Sequence, residues 1–227
     1  MSAVNANDHG LIERSCSPIS PRSKEQHDQV RRERIDQIRK AFSEVYLEKG
    51  VQGTDIGEVA KKAGVSRTLI YYYFKDKMEL IQGMFLEYFE AAKQFVGGAL
   101  ITEESPLVRL ERYARFYLET AVTKPRRVIL YRNMINDMPI VFGGQSQAFY
   151  HTFLDNVHGS LIRTVEEGIA AGLLAEVEPR LLAQTFMGGV TGAMLELAKR
   201  QLSEDEGRAL ADQAVGVILQ GIVKSPA

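Results

Sequence analysis

The sequence predicts an all-α protein, and three observations carry the prediction. Apolar residues recur at three- and four-residue spacing along most of the chain, the periodic stretches are punctuated by glycine, proline and cap residues, and nothing reads as a strand. About nine helices are expected, two of them a short pair hinged by a tight turn near the N-terminus. No internal repeat is visible.

Residues 1–25, rich in Ser, Asn, Pro and charge, with Pro18 and Pro21 as breakers, are expected to form a mobile tail. Helical periodicity begins near Gln26, with Ile35, Ile38, Phe42 and Val45 on one face and Gly50 as a stop. The segment Thr54 to Lys77 then reads as a helix-turn-helix. Asp55 caps its first helix, with Glu58 positioned to reach back as in a capping box, and Val59, Ala60 and Ala63 form the apolar face. Gly64 ends that helix through its freedom to take positive φ, Val65 plugs the gap and Ser66 caps the second helix. On that second helix Arg67, Thr68, Tyr71, Tyr72 and Lys75 share one side, while Ile70 and Phe74 lie on another.

A long helix follows the turn at Lys75-Asp76, marked by Leu80, Ile81, Met84, Phe85, Tyr88, Phe89, Ala92 and Phe95 and expected to stop at Gly97-Gly98. Ser105-Pro106 starts the next, which Lys124-Pro125 breaks; a shorter helix runs through Val128, Tyr131, Met134 and Ile135 to a loop at Pro139 and Gly143-Gly144. Two long helices come next, from about Ser146 to Ala171 with Gly172 as the stop, and from Pro179 to about Leu202. Ser203 and Glu206 form a capping box for the last, which reaches about Val223.

The composition, 45% hydrophobic and 25% charged, is that of a folded globular chain. The single cysteine, Cys16, offers no disulfide framework, no targeting signal is seen, and no apolar run is read as approaching the roughly 20 residues of a membrane helix. A cytoplasmic protein without membrane contact is expected. The net charge of −1 conceals a segregation: residues 22–80 hold 13 Lys and Arg against 10 Asp and Glu, and residues 81–227 hold 14 against 17. Within 61–77, Lys61, Lys62, Arg67, Lys75 and Lys77 face only Asp76, which concentrates positive potential around the second helix of the pair. Arg31, Arg32 and Arg34 read equally well as phosphate contacts and as solvated charge.

Gly64-Val65-Ser66 followed by Tyr71, Tyr73-Phe74 and Lys77, with Thr54 and Val59-Ala60 upstream, resembles the DNA-binding domain of the tetracycline-repressor (TetR) family of transcriptional regulators. The likeness runs from about Ile35 to about Phe85. Thr68 and Leu69 depart from the small residue pair often found there, which bears on the operator sequence. The resemblance implies a three-helix DNA-binding head over residues 26–80 and a ligand-binding and dimerisation bundle over residues 81–227. Its partners would be a double-stranded DNA operator, a small apolar effector and a second copy of the chain. Thr54 enters as a phosphate contact by resemblance alone.

A recognition helix in the major groove needs base-reading residues at its start and phosphate anchors around it. Arg67 suits a guanine edge, Thr68 a base or phosphate, and Leu69 a thymine methyl. Tyr71, Tyr72 and Tyr73 border the same surface, with hydroxyls suited to phosphate, and Lys77 opens the next helix as a further phosphate anchor. Tyr71 reads equally as core, and Phe74 reads as core. One head makes too small an interface for tight binding, so a homodimer is expected. Gly188, Gly189 and Gly192, with Leu195 on the same helix and Ala214 and Ile218 on the last, form the expected interface; packing within the chain is the alternative.

For the effector pocket the resemblance points to Phe89, Tyr113, Phe116, Tyr117, Tyr131, Met134, Phe149 and Phe153, an aromatic set that also reads as plain core. His151 and His158 share a helix face, but two histidines make a weak metal site, and neither metal nor cofactor is expected. The chain carries no nucleophile elbow, phosphate loop or paired-carboxylate pattern, so no enzyme and no catalytic residue is expected. A ligand-responsive repressor is the leading reading. A DNA binder controlled by a protein partner, or an architectural one without an effector, remains open at this point.

Overall fold

The structure, a computed structural model, describes residues 24–224, and the side chains of residues 24, 146, 147 and 149–158 are not described. Among the described residues the fold is nine α-helices and a single 3₁₀ turn: α1 (Lys24–Gly53), α2 (Ile56–Ala63), α3 (Arg67–Tyr73), α4 (Lys77–Leu100), α5 (Pro106–Thr123), α6 (Pro125–Phe142), the 3₁₀ turn Gly143–Gln145, α7 (Ser146–Ala170), α8 (Pro179–Lys199) and α9 (Glu204–Gln220). The chain divides into two compact units, Met1–Asp36 and Gln37–Ala227. In the first, the described residues are one exposed helical stretch in which Gln29 Nε2 donates to Glu33 Oε1 at 2.9 Å. The expected tail lies almost wholly outside the described residues.

In the second unit the apolar stripe of α1 is buried as its spacing demands, with Ile38, Phe42, Val45 and Tyr46 all at 0% exposure. Gly50 breaks the helix at φ 67°, and the chain turns through Val51–Thr54 into α2. Ile56, Val59, Ala60 and Ala63 of α2, Ile70 of α3 and Phe74 complete the buried set of the head. The helices that follow surround α5, which packs on α4, α6, α7, α8 and α9. Gly207 lets α9 approach α5 closely, since a Cβ there would lie 2.6 Å from Val122 Cγ1.

Two helix boundaries and two further features differ from the sequence expectation. Helix α4 runs through Gly97-Gly98 to Leu100, because burial of Val96, Ala99 and Leu100 outweighs the roughly 1 kcal/mol that each glycine costs a helix. Helix α6 includes Pro139, four residues from its end, where one lost hydrogen bond is tolerated; the Gly143 N–H still donates to the Pro139 carbonyl. Leu174 and Val223 form an isolated antiparallel bridge that ties the α7–α8 loop to the segment after α9, a pairing too short to leave a period-two pattern. Helix α8 is, with a mean hydropathy of 1.2, long and apolar enough by length and composition to cross a membrane, contrary to the reading of the sequence. Its Gly188, Gly189 and Gly192 supply part of that length without charge, and it packs against α5, α7 and α9 within the bundle.

Candidate functional site

The helix pair is built by local capping. Asp55 Oδ1 accepts from the Glu58 N–H at 3.1 Å, and Ser66 Oγ accepts from the Leu69 N–H at 3.1 Å. Gly64 closes α2 in the left-handed region at φ 64°, with the Val65 N–H reaching back to the Ala60 carbonyl at 3.0 Å. The expected capping box at Glu58 does not close, because the Glu58 carboxylate pairs with Lys49 of α1 at 2.6 Å instead.

Helix α3 presents Arg67, Thr68, Tyr71 and Tyr72 to solvent, Tyr72 at 77% exposure, and buries Ile70 and Phe74. Tyr71, which read equally as core, is 47% exposed. Leu69 and Tyr73 are half-buried, and the rings of Tyr72 and Tyr73 meet edge to face. The stem of Arg67 runs past Gly57 of α2, where a Cβ would lie 3.6 Å from Arg67 Cδ.

Two of the sequence-derived contacts are engaged elsewhere. Thr54 is 3% exposed and its hydroxyl donates to the Gly50 carbonyl at 2.6 Å, so it closes the α1–α2 turn and offers no outward hydroxyl. The Lys77 ammonium donates to the carbonyls of Val51 at 2.9 Å, Thr54 at 3.1 Å and Gln52 at 3.4 Å. An ammonium has three donors, and here all three are directed into the chain. Lys62, which sequence spacing assigned to the positive face, bridges Glu44 and Glu48 of α1 at 3.1 and 3.6 Å, and the Glu44 bond raises its pKa. Among the described residues no carboxylate pairs with Lys61, Arg67 or Lys75, which carry the positive potential of this face.

In the bundle, a cavity of about 120 Å³ that opens to solvent lies among α4, α5, α6 and α8. Helix α4 contributes Tyr88, Ala91, Ala92 and Phe95, α5 contributes Phe116, Tyr117 and Thr120, α6 contributes Arg127, Val128 and Tyr131, and α8 contributes Met194. The Tyr117 and Tyr113 hydroxyls bond each other, and burial pushes both phenols up, Tyr113 to about 12. Burial also raises Tyr88, against the opposing pull of the Arg127 charge.

The family described as "Bacterial regulatory proteins, tetR family" matches residues 38–84, which span the second half of α1, the helix pair and the first turns of α4. Over 187 residues, 78% of this chain and 81% of the other, the sequence is 28% identical to the HTH-type transcriptional regulator AcrR of Shigella flexneri. Residues 38–84 carry the DNA-binding domain of the tetR family. The chain is a DNA-binding transcriptional regulator with the all-α fold of those proteins. Its fold is shared by the transcriptional regulator FadR of Bacillus subtilis, solved in complex with stearoyl-CoA, at TM-score 0.66 and 20% identity over 82% of this chain and 98% of that one. The ketosteroid transcriptional regulator KstR2 of Mycobacterium tuberculosis gives TM-score 0.65 at 16% identity over 85% and 96%.

Of the expected pocket residues, Phe116, Tyr117 and Tyr131 line the cavity. Phe89, Tyr113 and Met134 do not. Phe89 packs edge to face on Phe85 and Tyr88, Tyr113 sits behind Tyr117 against Phe186, and Met134 is fully buried. Phe149, Phe153, His151 and His158 lie outside the described side chains. Tyr88 and Phe95, adjacent in helical phase to Phe89 and Ala92, were legible as pocket candidates only from the orientation of α4. Arg127 left no sequence signal beyond its charge.

The expected dimer residues separate into two groups. Gly188 and Gly192 are exposed, and a Cβ on either would meet nothing within 4 Å. Gly189 faces inward, where a Cβ would lie 3.2 Å from Ile218 Cγ1 of the same chain, so this pair seals α8 to α9. Leu195 and Ala214 are half-buried, and Leu181 and Val217 add exposed apolar surface at 59% and 69%.

Proposed function

We propose that this regulator is a homodimeric repressor that reads DNA with α3 and releases it when a small apolar effector occupies the bundle cavity. The observation that carries the reading is that two of the cavity's helices reach the DNA-binding head, α4 by starting beside it and α6 by bonding to α1. Helix α4 lines the cavity with Tyr88, Ala91, Ala92 and Phe95 and begins at the Lys77 joint beside α3. Helix α6 lines it with Arg127, Val128 and Tyr131, and at its far end Asp137 accepts from the Tyr46 hydroxyl of α1 at 2.7 Å. Near the same end the Val141 carbonyl accepts from Gln82 Nε2 of α4 at 2.9 Å. Occupancy that shifts either helix therefore bears on the head. An architectural binder has no use for such a cavity.

In a dimer the exposed small-residue face of α8 and α9, around Gly188, Gly192 and Val217, allows close approach of a second copy. Base reading falls to Arg67, Thr68 and Leu69, with Tyr71, Tyr72 and Tyr73 on the surrounding surface. The separation of the two heads has to match half-sites about 34 Å apart, or a multiple of that, and a change in the tilt of α4 spoils the match. The ligand shifts operator affinity only by its differential affinity for the two states, typically about 5- to 150-fold. Titrating a ligand into free protein and into protein–operator complex by calorimetry tests the scheme. Reciprocity requires weaker binding to the complex by the factor with which the ligand weakens DNA binding, and equal affinities refute induction by that ligand.

A further inference from the structure

The proposed cavity has a definite charge character. Among its described lining residues Arg127 is the one ionised side chain; the rest are aromatic, aliphatic or hydroxyl-bearing. Among the described residues no carboxylate meets Arg127, nor Arg126, Arg132, Arg163 or Arg180, whereas Arg109, Arg112, Arg115, Arg200 and Arg208 each pair with one; of the first group only Arg127 lines the cavity. The first turn of α6, which carries Arg127 and Val128 into the cavity wall, adds to that charge. It has no side-chain cap and no acidic residue in its first turn, while Pro125 carries no N–H and the Arg127 N–H donates to the Lys124 carbonyl at 2.9 Å, so the helix end contributes less than the guanidinium does. The phenol oxygens of Tyr88, Tyr117 and Tyr131 lie near enough to one another to interact electrostatically, and Tyr88 also feels the Arg127 charge.

We infer that the effector is an amphipathic anion: an apolar body that fills the aromatic part of the cavity and a single carboxylate-like head that pairs with Arg127 at the first turn of α6. The inference rests on the ligand-responsive reading above and adds to it the charge of the ligand. An apolar body gains from leaving water for the walls formed by Phe95, Phe116, Val128 and Met194. A planar guanidinium holds a carboxylate through two parallel hydrogen bonds, and hydroxyls from the tyrosines can donate to the same oxygens. A cation finds no carboxylate among the described walls and meets the Arg127 charge.

The test uses the full-length protein and three probes of one shape: naphthalene-2-carboxylate, naphthalene-2-methanol and naphthalene-2-methylamine, titrated by calorimetry at neutral pH. The expected order of affinity is anion, neutral, cation. Arg127→Gln should weaken the carboxylate roughly 10- to 100-fold, the range of a charge-assisted hydrogen bond, and leave the alcohol unchanged. Arg127 is exposed, so the variant should melt with the wild type, which separates lost recognition from lost folding. The alcohol or the amine binding as tightly as the carboxylate, or an unchanged carboxylate affinity in Arg127→Gln, overturns the anion assignment while leaving a ligand-responsive regulator standing. Binding by none of the three overturns both. Carboxylate binding that is weakened by Arg127→Gln but does not alter affinity for operator DNA supports the assignment and counts against the regulatory reading alone.

Discussion

Replacing Lys77 with methionine keeps the apolar stem and removes the ammonium that joins the start of α4 to the end of α1. Three carbonyls lose a charged donor, two of them at hydrogen-bond distances of 2.9 and 3.1 Å and the third at 3.4 Å. Hydrogen bonds to a charged group contribute about 1.5–3 kcal/mol net, and Lys77 is half-buried, so water can replace part of what is lost. A loss of about 2 kcal/mol follows, which for a chain of this size lowers Tm by about 4–8 °C. The effect on DNA binding should be of another kind. One phosphate contact contributes close to one unit to the slope of log K against log salt, and an ammonium saturated by carbonyls contributes far less. On a random-sequence duplex, Lys77→Met should therefore change the slope by well under one unit, whereas Lys75→Ala, which removes an exposed cation, should lower it by about one. Differential scanning calorimetry and a salt titration of DNA affinity read the two effects separately. An unchanged Tm together with a full unit lost from the slope would refute the reasoning, because the ammonium would then have to leave the carbonyls for a phosphate.

Other substitutions address the remaining parts of the scheme. A Cβ at Gly192 meets nothing within 4 Å in the chain, so Gly192→Leu leaves the fold of the protomer intact and should yield a monomer in sedimentation, and a persistent dimer refutes the proposed interface. Gly189→Leu, aimed at Ile218 of the same chain, should instead cost about 1–3 kcal/mol in thermal or denaturant melts. Arg67→Ala should leave stability unaltered and relax base preference at one operator position by about 1–3 kcal/mol; an equal loss on specific and random DNA removes Arg67 as a base reader. Tyr46→Phe deletes the bond to Asp137 and should cost about 1–2 kcal/mol in stability while reducing the factor by which a ligand weakens DNA binding, measured by paired titrations.

Those features of the fold that depend on residues within a few positions of one another were legible in the sequence. Asp55, Gly64 and Ser66 act on N–H and C=O groups one turn away, and Ser203 and Glu206 close their capping box as their spacing implies. Side-chain assignments failed where the partner lies far along the chain. Lys77 reads as a free cation until the turn at Val51–Thr54 folds back on it from 23 to 26 residues away, and Lys62 reads as part of a basic face until Glu44 and Glu48 of α1 arrive beside it.

The cavity shows the same limit in rotational form. Periodicity places Tyr88, Phe89, Ala92 and Phe95 on the inner half of α4, yet consecutive residues point about 100° apart, and the neighbouring helices decide which direction holds solid core and which holds space. Phe89 meets Phe85 and Tyr88 and is core; Tyr88, stacked on Tyr131, borders the cavity. Aromatic content therefore marks where a pocket can form without choosing its walls. Charge behaves in the opposite way: Arg127 is unremarkable along the sequence, and it acquires meaning only because the first turn of α6 sets its guanidinium, which meets no carboxylate of the described residues, against walls whose described residues hold no other ionised group.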